Sequence, residues 1–302
     1  MKWLKNKSTL IIINPKAGRK RIIEVSERIK KFGNLFDYAV FYDVNVFRDF
    51  IEENLDKYEI FVAAGGDGTV NSLAARLAGK DKTLAVLPVG SGNGFAREMG
   101  FRKSIRKLIK DIKYNKTFYT DVFYVNGIPC INVFGLGIDS YVAHDFSGSE
   151  KRGFWSYVAA LIKIIRSIKP VKIKVDLEGK QIDEEAFMFS VTNTRQFGNH
   201  AIITPAAAPD DGKLNIVIVR PFPKIFLPLF AVKLMTGTLK ESKYVSYFET
   251  DKPVTVETSE TRFHIDGEPV IFDSPVTVTI KKNALKVLVT RRNKWVKNNQ
   301  QP

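Results

Sequence analysis

The pentapeptide Gly65-Gly66-Asp67-Gly68-Thr69 carries the residue types that phosphate chemistry requires. It follows the apolar run Ile60-Phe61-Val62-Ala63-Ala64 and precedes a helix-like segment from Val70 to Ala78, so a strand, a glycine turn and a helix start are expected in succession. Glycines without a Cβ let the backbone approach a phosphate, and a helix N-terminus presents unpaired N–H groups with a favourable dipole. Asp67 adds a carboxylate able to hold Mg²⁺ or its waters. A nucleotide phosphate suits such a turn; the plain alternative is an ordinary turn capped by Asp67 or Thr69. Two further loops have the same character. Leu10-Ile11-Ile12-Ile13 ends in Asn14-Pro15-Lys16-Ala17-Gly18-Arg19, and Leu84-Ala85-Val86-Leu87 ends in Pro88-Val89-Gly90-Ser91-Gly92-Asn93-Gly94. Ligands of open parallel sheets bind outside the carboxyl ends of the strands, so three such loops can converge on one crevice. Neither the P-loop nor the dinucleotide fingerprint is present.

Phosphoryl transfer also needs a group that takes the proton of the attacking hydroxyl. Asp266-Gly267-Glu268 lies between Arg262-Phe263-His264-Ile265 and Pro269-Val270-Ile271. A glycine between two carboxylates lets a turn project both into a cleft, one as general base and the other holding metal waters or orienting the base. As structure alone, Asp-Gly is a common hairpin turn. Ala208-Pro209-Asp210-Asp211-Gly212-Lys213 reads in the same two ways, as a β-turn or as an oxygen-rich cation site.

The elements that must position these groups change character along the chain. Up to about Asn115, strand-like and helix-like segments alternate, which predicts a doubly wound, mostly parallel α/β sheet domain over residues 1–117. From Phe118 onward, short strands with turn signals such as Asn126-Gly127, Glu178-Gly179 and Asp211-Gly212 predict a β-rich domain over 118–302. Two inserts interrupt it. Trp155 to Ser167 is helix-like and apolar around much of its circumference; Pro221 to Gly237 mixes nine large apolar side chains with basic neighbours. The second suits either a surface that dips into an anionic interface or a core helix folded on the sandwich.

Composition sets the outer bounds. With 302 residues, 44% hydrophobic and 26% charged, the chain reads as an ordinary globular protein of two domains. The single Cys130 excludes an internal disulfide, and with three histidines it leaves little for zinc, which fits a cytoplasmic location. The first apolar run is too short for a signal peptide, and no stretch approaches the ~18 residues that span a bilayer. A formal net charge of +15 draws the chain toward anionic lipid or nucleic acid. Zinc-finger, helix-turn-helix and RNA-recognition patterns are absent, so no nucleic-acid partner is expected.

In order, Asn14-Pro15-Lys16-Ala17-Gly18, Gly65-Gly66-Asp67-Gly68-Thr69 and Pro88-Val89-Gly90-Ser91-Gly92-Asn93 resemble the catalytic domain of diacylglycerol kinases and sphingosine kinases, including the bacterial soluble lipid kinases. The resemblance continues through Gly135-Leu136-Gly137-Ile138-Asp139, Pro205-x-Ala207 with Asp210-Asp211-Gly212-Lys213-Leu214, and Asp266-Gly267-Glu268, and so covers nearly the whole chain. It implies that the second half is a β-sandwich receiving a lipid, with the last segment returning to the first domain and the active site in the interdomain cleft. It further implies ATP and Mg²⁺ as cofactors, and transfer of the γ-phosphate to a lipid hydroxyl. A diacylglycerol-like acceptor would give phosphatidate; a sphingoid base is the alternative, with an NAD kinase-like enzyme and a catalytically silent membrane-binding module further off. By position, Asn14, Pro15, Lys16, Gly18, Arg19, Gly65, Gly66, Asp67, Gly68, Thr69, Asn71, Gly90, Ser91 and Asn93 would hold the nucleotide. Glu268 would be the base, with Asp266 close behind and Asp67 assisting catalysis. A structural Mg²⁺ would rest on the Asp211 carboxylate and the carbonyls of Ala208 and Lys213, while Asp121 would help the active-site metal network. The implied partner is a lipid acceptor at an anionic membrane surface, with peripheral membrane association; a homodimer is compatible. Three departures blur the acceptor: Ser72 stands where the family often has glutamate, Gly90-Ser91-Gly92-Asn93-Gly94 is closer to sphingosine kinases, and a threonine usual near the second strand has no counterpart around Tyr42 and Asp43.

Overall fold

The computed structural model describes residues 8–15, 20–33, 35–42, 44–90, 92–146, 169–198, 201–293 and 295. Lys16, Gly18, Arg19 and Ser91, with the helix-like run from Trp155 to Ser167, lie outside the described residues. The chain divides into two compact units, one of Met1–Thr120 with Asn283–Pro302 and one of Asp121–Lys282.

The first unit is built on the aliphatic runs seen in the sequence. Strands β1 (Thr9–Ile13), β3 (Ile60–Gly65) and β4 (Thr83–Pro88) are buried along their whole length, as continuous apolar runs require in a sheet covered on both faces. With β2 (Asp37–Val40) at the edge they form a parallel array ordered β2-β1-β3-β4. Helices α1 (Lys20–Lys30), α2 (Val44–Asn54), α3 (Asp67–Leu77), α4 (Gly94–Glu98) and α5 (Ile105–Tyr114) intervene between or follow these strands. In α5 the apolar Ile105, Leu108 and Ile112 recur at helical spacing and are buried, and Asn115, at φ +53°, ends the helix in the left-handed region that asparagine tolerates. Strand β5 (Thr117–Val125) leaves this unit. Strand β18 (Val276–Leu288) returns to it, and there Lys286 and Val287 pair in parallel with Thr83 and Leu84.

The second unit is a sandwich of two sheets. One holds β14 (Val245–Thr250), β13 (Leu214–Val219), β10 (Met188–Thr192), β7 (Val133–Gly137), β16 (Arg262–Ile265) and β17 (Glu268–Ile271), in that order. The other holds β15 (Val254–Thr258), β8 (Val171–Leu177) and β9 (Lys180–Ala186) beside β18, with β5 paired to β18 and β6 (Ile128–Cys130) to β5. The period of two along each strand sorts side chains between faces. Leu214, Ile216 and Ile218 of β13 join Phe134, Leu136, Phe189, Val191, Phe263 and Ile265 in the core between the sheets, where Phe134 and Phe263 stack at 5.5 Å. Val217 and Val219 point the other way, into a second apolar cluster roofed by α7 (Leu227–Thr236) through Leu227, Phe230 and Leu234. Helix α6 (Ile138–Phe146) follows β7 directly, and two short strands, β11 (Gln196–Gly198) and β12 (Ala201–Ile202), form a hairpin.

Candidate active site

At the carboxyl ends of β1, β3 and β4 the three sequence-predicted loops meet through named contacts. The Asn14 side-chain amide donates to Thr69 Oγ1 at 3.0 Å, tying the loop after β1 to the first turn of α3. A Cβ on Gly65 would lie 2.3 Å from that same Thr69 oxygen, and one on Gly90 would lie 2.8 Å from Gly66 Cα. Gly65 therefore makes room for the Thr69 side chain, and Gly90 for close approach of backbone to backbone. Helix α3 begins after Gly66 with no side-chain cap, and its N-terminus is the kind of place where a helix binds an anion.

Asp67 occupies a more defined place than a turn carboxylate able to hold a cation. Its Oδ2 accepts from the Asn93 amide at 2.7 Å and its Oδ1 from the Gly94 amide at 2.8 Å, so the carboxylate caps α4 across 26 residues of sequence. A side chain at Gly92 would strike Asp67 Oδ2 at 2.7 Å. The Gly90–Gly94 turn is also held by two cationic side chains, since Arg97 Nε donates to the Gly92 carbonyl at 2.8 Å and Lys103 Nζ to the Gly90 carbonyl at 3.0 Å. Asn93, at φ +51°, donates its side-chain Nδ2 to the Gly90 carbonyl at 2.6 Å. Lys103 also borders a cavity of about 230 Å³ lined by Val25, Leu87, Pro88 and Ile105 with Glu24 and Arg28. The Asn71 Oδ1 is buried without a partner, an acceptor left open in the first turns of α3. Sequence reasoning did not single out Arg97 or Lys103; the signal available was Arg97 standing four residues after Asn93, and Lys103 within a basic run.

The Asp266-Gly267-Glu268 segment is a two-residue hairpin turn between β16 and β17, with Ile265 opposite Glu268 and positive φ at both Asp266 (+52°) and Gly267 (+85°). That geometry sends the two carboxylates to different environments, in contrast to the expectation that the turn projects both into one cleft. Asp266 turns inward. Its Oδ1 accepts from the Asn132 and Val133 amides at 2.9 and 2.8 Å and from the Cys130 thiol at 3.1 Å, and its Oδ2 accepts from the Ile131 amide at 3.1 Å. Burial raises its pKa, and the amide hydrogen bonds from Ile131 and Val133 pull in the opposite direction. These donors hold the bend of the chain at Ile131 and Asn132, between β6 and β7. Glu268 is exposed.

Behind this turn, on the sheet face away from the core, lies a polar cluster that sequence reasoning left without a role. Gly135 sits between Ser190 and His264 in the ladder. Its missing side chain opens a slot: a Cβ there would lie 2.1 Å from Asp139 Oδ2. Asp139, in the first turn of α6, fills the slot, accepting from Ser190 Oγ at 2.6 Å and from the Ser140 amide at 2.8 Å, with His264 Nε2 3.1 Å away. The Gly267 amide donates to His264 Nδ1 at 3.3 Å. A neutral imidazole that accepts at Nδ1 carries its proton on Nε2, which lies close to Asp139 without making a hydrogen bond to it. The chain of contacts Ser190–Asp139–His264–Gly267 thus ends on the hairpin that carries Glu268. Beside it, Tyr141 of α6 donates to Glu260 at 2.6 Å, and Arg262 lies over the Tyr141 ring at 4.0 Å while bonding Glu260. Burial works to raise the Glu260 pKa, but Arg262 and Tyr141 outweigh it and hold this carboxylate down at about 2.

The remaining acidic candidates share one turn. Asp121 Oδ2 accepts from the Gly212 amide at 2.6 Å, and the Asp121 amide donates to the Pro209 carbonyl at 2.7 Å. Asp211 Oδ1 accepts from the Lys213 amide at 2.9 Å. Burial first, then the neighbouring Asp121 charge, raises the Asp211 pKa, against the pull of the Lys213 amide. Two like charges at one partly buried turn favour a bound cation, although no group of three or more metal-ligating His, Cys, Asp or Glu residues occurs among the described residues. Asp121, read from the sequence as part of the active-site metal network, stands against the turn that carries Asp211.

Comparisons with known proteins agree with this architecture. Residues 8–125 match the diacylglycerol kinase catalytic domain, and residues 132–289 match the YegS C-terminal NAD kinase beta sandwich-like domain. A diacylglycerol kinase of Bacillus subtilis (strain 168) is 26% identical over 272 residues, covering 87% of this chain and 90% of that protein. One from Staphylococcus carnosus (strain TM300) is 25% identical over 275 residues, covering 87% and 89%. Among solved structures, a diacylglycerol kinase from Bacillus anthracis str. Sterne shares the fold with a TM-score of 0.73 at 20% identity, over 94% of this chain and 97% of that one. An NAD kinase from Archaeoglobus fulgidus in complex with ATP does so at 0.55 and 12%, over 97% and 100%. The two domain matches follow one another in the order of the two halves described above, and the sandwich match alone spans more than half of the sequence: the chain belongs to the family of ATP-dependent kinases that join a diacylglycerol kinase catalytic domain to a YegS-type C-terminal sandwich.

Proposed function

We propose that this protein transfers the γ-phosphate of ATP to the free hydroxyl of a diacylglycerol-like lipid at an anionic membrane surface, giving phosphatidate and ADP. The observation that carries the reading is the bracing of the loops after β1, β3 and β4 by Asn14 and Asp67, in a chain whose relatives are named diacylglycerol kinases. In this reading the N-terminus of α3 and the Gly90–Gly94 turn hold the phosphates, with Lys103 adding positive charge. Lys16, Gly18, Arg19 and Ser91 are assigned to the same task from sequence alone.

Magnesium bound with the nucleotide would neutralise charge on the β- and γ-phosphates. Asp67 fixes the Gly90–Gly94 turn, and the Asn71 Oδ1 would be available to accept from the nucleotide or from a water of the metal. Glu268 takes the acceptor proton as the new O–P bond forms and the bond to the β-phosphate oxygen breaks. Asp266 braces the turn, because its oxygens already serve four donors; an exposed carboxylate at the start of β17 is better placed to meet a substrate. His264 and Asp139 hold that turn from behind. Asp211 and Asp121 would hold a structural cation at the 208–213 turn, which thermal melts with and without MgCl2 test: wild type gains stability and Asp211→Asn does not.

Incubation with labelled ATP and Mg²⁺ and a panel of diacylglycerol, monoacylglycerol, ceramide, sphingoid base and NAD tests the acceptor. Label in phosphatidate supports the proposal. Label in a sphingoid base moves the acceptor to the alternative suggested by Gly90-Ser91-Gly92-Asn93-Gly94, and label in NAD alone overturns the lipid reading.

A further inference from the structure

Helix α7 and the 3-10 turn Lys224–Phe226 before it are apolar on both sides. The inner side is accounted for: Leu227, Phe230 and Leu234 are buried against Phe222, Val217 and Val245. On the outer side stand Ile225 (82% exposed), Phe226 (47%), Leu229 (51%) and Val232 (56%). Ile225, Leu229 and Val232 follow one another at helical spacing, so they form one stripe rather than scattered residues. A surface helix ordinarily presents charged side chains at such positions, and isolated exposed apolar residues need no explanation, but a contiguous stripe does.

Along the sequence, the charges flanking the stripe are mostly basic. From Pro221 to Lys240 the sequence holds no aspartate or glutamate, and Lys224, Lys233 and Lys240 are exposed along it; Lys243 follows, with Glu241 the one acidic neighbour in that run. This bears on what covers the stripe. A second copy docking through the same patch about a two-fold axis would bring the lysines of one copy toward those of the other. An anionic lipid surface offers apolar acyl chains to Ile225, Phe226, Leu229 and Val232 and negative headgroups to the lysines at the same time. The helix is too short to cross a bilayer, as are all described helices.

We infer that the Ile225–Phe226–Leu229–Val232 stripe of α7 is the surface by which this protein docks on an anionic bilayer. The inference rests on the reading of the acceptor as a lipid, since a water-soluble acceptor gives the stripe no task. It deepens that reading by naming which face of the sandwich meets the membrane.

The test uses phosphatidylcholine vesicles with and without phosphatidylglycerol, the full-length protein, the double variant Leu229→Glu/Val232→Glu and the double variant Lys224→Ser/Lys233→Ser. The changed side chains are exposed, so both variants are expected to melt as wild type does. Wild type sediments with anionic vesicles, and each double variant binds them about tenfold or more weakly. Phosphorylation of a short-chain diacylglycerol dispersed in detergent stays unchanged in both. A natively melting Leu229→Glu/Val232→Glu variant that sediments like wild type overturns the docking surface while leaving the kinase reading intact. Vesicle binding lost in the variants, in a protein that phosphorylates no lipid, overturns the lipid-acceptor reading and leaves the surface standing. A wild-type dimer that the glutamates dissociate with vesicle binding retained assigns the stripe to a second copy and also overturns the proposal.

Discussion

At Gly135 a side chain is absent so that another can be present. The Asp139 carboxylate occupies the space a Cβ would take and from there reaches Ser190 and His264. Gly135→Ala is therefore expected to expel Asp139 from its slot and lower stability by about 1–3 kcal/mol in a denaturant melt; an unchanged melt would show that the slot relaxes without cost. Asp266 allows a sharper substitution. In Asp266→Asn one oxygen can still accept from Asn132 and Val133, but the new NH2 faces the Ile131 amide, donor against donor. A loss of about 1–3 kcal/mol of stability is expected. Asp67→Ala removes the cap of α4 and frees the Gly90–Gly94 turn, so the KM for ATP should rise and turnover fall steeply, with a stability loss of about 0.5–2 kcal/mol. The chemical types at these positions were legible in the sequence; which carboxylate of Asp266-Gly267-Glu268 turns inward was not. That choice is made by amides of Ile131, Asn132 and Val133, more than 130 residues earlier in the chain, and only the folded sandwich brings them to the turn.

At the scale of elements, the alternation of apolar runs with glycine loops was enough to read the parallel sheet and the change to a β-rich half, because burial on two faces and the period of two both leave local marks. Long-range register leaves none. The polar cluster behind the hairpin depends on β7 pairing with both β10 and β16, so that Ser190 and His264 fall on either side of Gly135. Similarly, Asp121 meets the 208–213 turn across 91 residues of sequence. The clamp of Arg262, Tyr141 and Glu260 ties α6 to the start of β16 and makes a pH prediction. Glu260 has a pKa held near 2 in the folded protein against an ordinary 4.5, so its contribution to stability is fully present above about 4.5 and is lost as pH falls through about 2. Melting temperatures measured across that window should fall less steeply for Glu260→Gln than for wild type. Equal slopes would show that the clamp does not discriminate between the charged and neutral forms.

At the scale of the whole molecule, the formal charge of +15 and the lysine-bordered stripe on α7 act in the same direction, toward an anionic surface. Their contributions differ in salt dependence: attraction between exposed charges is screened, whereas burial of Leu229 and Val232 in acyl chains is not. Vesicle sedimentation should therefore weaken with added NaCl yet leave a residual that the glutamate variant removes. Family membership establishes a kinase, and the lipid acceptor with Glu268 as its proton acceptor is the central claim built on it. Transfer of labelled phosphate from ATP to diacylglycerol, measured for wild type and Glu268→Ala at equal folded fraction, tests it most directly. The account predicts phosphatidate from wild type and a loss of about 10²–10⁴-fold in the variant, with its melt unchanged. A Glu268→Ala protein that makes phosphatidate at the wild-type rate would contradict it.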